Sequence, residues 1–101
     1  MRMLLTAHIP AEPFNTLARE GKAGQIISAI LSELKPEAAY FTEEHGKRCA
    51  ILVVNVSDPS RVPTFAEPFF LKFNAECRFR IAMTPDDLGK AGLDELGRKW
   101  R

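Results

Sequence analysis

One segment restricts the fold of this chain more than any other: RCAILVVNVSDP, from Arg48 to Pro59, an apolar β-branched run closed by Asp-Pro. A run this short and this rich in Val and Ile suits a buried strand better than a helix. Asp58 can cap a helix whose first position is Pro59, because the aspartate oxygen accepts a backbone N–H there and proline has none to lose. A buried strand therefore feeds directly into a helix. That joint belongs to layered structures of mixed α and β type, and the rest of the chain is read outward from it.

Upstream, Met3 to Ile9 reads as a first strand, with Pro10 and Pro13 at its exit. Phe14, Leu17 and Ala18, then Ile27, Ile30, Leu31 and Leu34, recur at helical spacing across Gly21 and Gly24, so one bent helix or two short ones fits, ending at Lys35 before Pro36. Glu37 to Glu43 and Cys49 to Val56 form a hairpin through EEHGKR, where Gly46 supplies the positive φ of the turn. Beyond Asp58, Phe65, Phe69, Phe70 and Phe73 keep helical spacing, but Pro63 and Pro68 argue for two overlapping short turns. Glu76 to Met83 alternates, with Cys77, Phe79, Ile81 and Met83 on one face and Arg78, Arg80 and Ala82 on the other. Thr84, Pro85, Asp86 and Asp87 open a terminal helix. Its stripe is Leu88, Gly92, Leu93, Leu96 and Trp100, and Gly89, Gly92 and Gly97 weaken it enough to require a docking surface.

The order βα, ββ, αβ predicts an α+β fold: a ferredoxin-like βαββαβ unit with a four-stranded antiparallel sheet in the order four, one, three, two, plus a C-terminal helix. Residues 1–83 make the ferredoxin-like domain, and 84–101 the helix that packs on it or on a dimer partner. Right-handed crossovers place the main helices on one face of the sheet. The other face carries Leu4, Thr6, Tyr40 or Phe41, and Ile51 or Leu52, more apolar surface than a monomer leaves in water. A second copy is the expected cover.

With 101 residues, 46% hydrophobic and 27% charged, the chain holds one ordinary core. A net charge of +1 with interspersed signs gives no footprint for nucleic acid or an anionic membrane. No apolar run approaches the roughly 20 residues of a membrane span, and the first one stops at His8 without a cleavage site, so a cytoplasmic protein is expected.

The segments AEPFNTLAREG, KPEAAYFTEEHGKRCAILVVNVSDPS, AEPFFLKFNAE and AMTPDDLGKAGLDELGRKW resemble a group of bacterial proteins, without an assigned activity, in the dimeric α+β barrel superfamily. The resemblance covers nearly the whole chain and implies two ferredoxin-like subunits packed sheet to sheet. Muconolactone isomerases and antibiotic-biosynthesis monooxygenases share that architecture, as do haem-degrading monooxygenases. The last hold iron with a histidine on the second helix, and no His occurs here between Pro59 and Asn74. No cofactor and no metal are expected.

Among individual residues, His8 ends the first strand in register with Leu4 and Thr6, where an imidazole would serve as acid or base between facing sheets or simply bond to backbone. Arg78 and Arg80 point to the face opposite Phe79, where two guanidinium groups bind a carboxylate or phosphate, or else form interface salt bridges to Glu37, Glu43 or Glu76 of either subunit. Thr6 and Tyr40 add polar contacts to that ligand site. His45 beside Glu43 and Glu44 reads as a solvated turn, since neighbours at a hairpin tip converge poorly on a metal. Cys49 and Cys77 read as small buried hydrophobes. The expected function is a homodimer holding a small organic anion between its sheets, the alternative a cofactor-independent isomerase or monooxygenase-like enzyme acting on a small organic acid.

Overall fold

The computed structural model describes all 101 residues. Strand β1 (Arg2–Ile9) leads through α1 (Ala11–Arg19) and α2 (Ala23–Leu34) to the hairpin of β2 (Ala38–Glu44) and β3 (Lys47–Asn55). A 3₁₀ turn (Pro59–Arg61) then opens α3 (Val62–Phe73), β4 (Glu76–Ile81) closes the sheet, and α4 (Pro85–Lys90) and α5 (Leu93–Lys99) follow. The four strands lie in the order β2-β3-β1-β4, which from the other edge reads four, one, three, two. Every neighbouring pair is antiparallel.

Register and strand parity divide the side chains between two faces. Met3, Leu5, Ala7 and Ile9 of β1 stand beside Ala50, Leu52 and Val54 of β3 and Cys77 and Phe79 of β4. Against them pack Phe14 and Leu17 of α1, Ile30 and Leu34 of α2, and Phe65, Phe69 and Phe73 of α3, forming one core under the helices. The opposite face is covered by no helix of this core. It presents Leu4, Thr6 and His8, Tyr40, Thr42 and Glu44, Cys49, Ile51 and Val53, and Glu76, Arg78 and Arg80. Parity thus settles the two alternatives left open: Tyr40 and Ile51 lie on the open face, Phe41 and Leu52 under the helices.

Turn chemistry explains the joints. His45 and Gly46 both take positive φ (54° and 76°), the pairing that a two-residue hairpin with right-handed twist demands. Asp58 accepts the Ser60 amide at 3.0 Å and so caps the turn that opens α3. Gly21, at φ 72°, separates α1 from α2, so the two-helix alternative holds.

Two expectations are corrected. Pro68 does not split the phenylalanine segment, because burial of Phe65, Ala66, Phe69 and Phe73 holds α3 together over 12 residues despite one missing amide donor. Pro63 sits in the first turn, where no donor is needed. The terminal segment is two helices rather than one, broken where Gly92 adopts φ 72°, and neither has a buried residue. β4 ends at Ile81 rather than Met83, and both residues are exposed. No helix is long and apolar enough to cross a membrane.

Candidate functional site

The polar end of the open face is built by β1, with β3 on one side and β4 on the other. His8 pairs directly with Cys49 of β3 and with Glu76 of β4, and Thr6 pairs with Arg78. Glu44 ends β2 and reaches across β3 to His8, where its Oε1 accepts the imidazole Nε2–H at 2.9 Å. That bond places the mobile proton on Nε2 when the imidazole is neutral. It also holds the Glu44 carboxyl below its ordinary range, the His8 hydrogen bond being the main cause, with the charges of His8, His45 and Arg78 assisting and partial burial opposing.

Around this pair lies a cavity of about 230 Å³ lined by His8, Glu44, His45, Lys47, Glu76 and Arg78, together with Pro10 and Asn74. Its wall contains no hydrophobic residue. Cys49, the register partner of His8 on β3, is 1% exposed, and its thiol is pushed upward first by burial and then by the Glu44 charge. The ligand-type atoms of His8, Glu44 and Cys49 all fall within 4.8 Å of one another. Thr6, two residues along β1, is 6% exposed, and its hydroxyl has no hydrogen-bond partner. A buried hydroxyl without a partner is a rare and costly feature.

No family model, curated protein or solved structure matches the chain. The geometry of the site therefore stands on its own.

Of the residues singled out from sequence, the structure brings His8 and Arg78 into one cavity, with Thr6 adjacent on the same strand face. Arg80, opposite Leu4, and Tyr40, opposite Ile51, share the face but do not line that cavity. Neither arginine forms an ion pair within the chain, and Glu37 is engaged instead by Arg2 at 3.0 Å. His45 joins the wall from the turn, and Glu43 turns back to accept the Gly46 amide at 2.9 Å. Sequence reading placed Glu44 in the turn, named Glu76 only as a salt-bridge partner and did not single out Lys47, whereas all three line the cavity. The signal is parity: Glu44 lies four residues from Tyr40, so the two share a face once β2 extends to Glu44.

The two cysteines occupy opposite faces. Cys77 is half-buried under α3 beside the Ala66 carbonyl, and burial raises its thiol to about 11. It has no part in the cavity. A larger groove of about 590 Å³ between α2 and α3 is lined by Ile26, Ile30, Pro63, Pro68 and Leu71 among others, but it gathers no histidine, no cysteine and no hydrogen-bonded polar pair.

Proposed function

We propose that this chain is a homodimeric small-acid-binding protein of the dimeric α+β barrel kind, in which two ferredoxin-like subunits face each other through their open sheets and a small organic anion sits beside His8 and Arg78. The observation that carries the reading is the cavity itself, which brings a cation that is unpaired within the chain, Arg78, to an imidazole already fixed by a carboxylate. At about 230 Å³ the space is smaller than the ~300 Å³ at which pockets for drug-sized ligands begin, so a compact acid is the fitting class. The unpartnered Thr6 hydroxyl offers a further donor on the same face. Leu4, Ile51, Val53 and Tyr40 give that face the apolar surface that a second sheet would cover.

Calorimetric titration with mono- and dicarboxylates, alongside light scattering, tests the reading. Arg78→Met should abolish acid binding and leave the dimer intact, and Arg80→Met should retain it. Unchanged binding in Arg78→Met overturns the assigned seat. Loss of the dimer in that variant reassigns the guanidinium to an interface salt bridge.

A second reading is favoured by the His8–Glu44 pair. A carboxylate-oriented imidazole is a proton-transfer group, and a guanidinium beside it stabilises the enolate-like anion left when a proton leaves carbon. The chain would then catalyse an isomerisation without a cofactor. Deuterium uptake from solvent at the α-carbon of a bound acid, lost in His8→Asn, is the corresponding signature.

A further inference from the structure

We propose that a ring nitrogen of His8, a carboxylate oxygen of Glu44 and Cys49 Sγ form a three-ligand seat for a divalent transition-metal ion of the zinc class, with its remaining coordination position open to the cavity. The proposal goes beyond small-acid binding and does not depend on it. It rests on three residues brought by three adjacent strands to one point of the open face.

The donor set is chemically coherent. Imidazole nitrogen, thiolate sulfur and carboxylate oxygen are the ligands zinc takes, at about 2.0–2.1, 2.3 and 2.0–2.2 Å, and three protein ligands with one open position is the arrangement of reactive rather than purely structural sites. Two such ligands at a tetrahedral angle lie roughly 3.5 Å apart. The present atoms are within 4.8 Å of one another, and His8 and Glu44 stand at 2.9 Å with a proton between them. Seating an ion thus requires a slight opening of the His8–Glu44 pair and an approach of at most about 1.3 Å by the sulfur, within reach of a Cys49 rotation or a shift of Glu44 at the end of its strand.

Protonation follows the same logic. The ion takes the place of the proton that His8 Nε2 now gives to Glu44, and of the proton on the Cys49 thiol, so loading releases protons to solvent and strengthens as pH rises. Glu44 disfavours a bare thiolate at Cys49. A divalent cation between them reverses that interaction, because it attracts both. Arg78 lines the same cavity, so a bound carboxylate would be shared between metal and guanidinium. Proton transfer by His8 Nε2 and ligation by it are mutually exclusive.

The test uses the purified 101-residue chain stripped with chelator. Zinc is titrated against a chromophoric competitor, and cobalt(II) is added separately as an optical probe. The expected result is one ion per chain and, with cobalt, a near-ultraviolet thiolate charge-transfer band with intense visible bands of tetrahedral geometry. Cys49→Ser should remove the charge-transfer band, and His8→Ala should weaken zinc binding by roughly 100-fold or more, while Cys77→Ser keeps both properties. Circular dichroism checks that each variant is folded, and His8→Gln substitutes for His8→Ala where the latter unfolds. A cobalt spectrum without a thiolate band, or zinc affinity unchanged in folded His8 variants, overturns the site. Acid binding by the chelated protein is measured in parallel, so failure of the metal seat leaves the small-acid reading standing or falling on its own data.

Discussion

Single residues divide sharply in how much of their role was legible before folding. Asp58 was legible, because a cap acts on its own neighbours: its carboxylate accepts both the hydroxyl and the amide of Ser60, and the hydroxyl bond is the chief reason its carboxyl sits below the usual range. The sign of the pH effect follows. A depressed carboxyl stabilises the fold fully above its ordinary value of 3.8 and loses that contribution as pH falls through the lowered one. Denaturant midpoints for the wild type and Asp58→Asn should therefore differ at neutral pH and converge in acid. A difference that persists unchanged at low pH would refute the cap's charge as the cause. His8 was legible only in part. Its strand position and face could be read, but its partner Glu44 lies 36 residues away and is joined to it only through the hairpin register. In the sequence Glu44 reads as part of a polar turn with Glu43 and His45, whereas in the fold strand parity sends Glu43 and Glu44 to opposite faces.

Elements were more legible than residues, and their failures have identifiable causes. The β2–β3 hairpin, the β1 strand and the start of α3 follow from local rules of alternation, turn residues and capping, which the structure bears out within a residue or two at each end. α3 departed from expectation because tertiary burial outweighs a local penalty: its apolar face seals the sheet, with Phe73 at 0% exposure. Two substitutions probe that balance. Phe73→Ala should cost about 3–5 kcal/mol, the range for removing a buried aromatic side chain. Pro68→Ala should raise the melting temperature, since it supplies the donor missing from the helix interior, where proline ranks about 3 kcal/mol below alanine. A lower melt for Pro68→Ala would show that contacts of the proline ring, not the backbone, dominate at this position.

At the scale of the whole molecule, the expected strand order and helix layer follow from the succession of elements, but the fate of the last segment did not. Its apolar stripe and its glycines were visible, yet the turn at Gly92 that breaks it in two depends on a backbone conformation no spacing reveals. The result is an arm. The chain spans 59 Å in its longest direction with a radius of gyration of 16.9 Å, against about 13 Å for a compact unit of this length. Along the arm Leu88, Leu93, Leu96 and Trp100 stay exposed, the last at 75%. Each would contribute roughly 1.5–3 kcal/mol on full burial, so together they form a strong reason for association. The open sheet face adds Leu4, Ile51 and Val53 to the same account. A second copy covering both is the arrangement we expect, and light scattering at micromolar concentration should report twice the chain mass. Removing residues 84–101 should then lower the melting temperature or release monomers, whereas Trp100→Ala should weaken association without unfolding the sheet, whose core the arm does not touch. A truncated chain with the same mass and melt as the full one would mean that the arm remains solvated and that any association uses the open face alone. A monomer in both cases would remove the dimer and leave the His8 cavity facing bulk water.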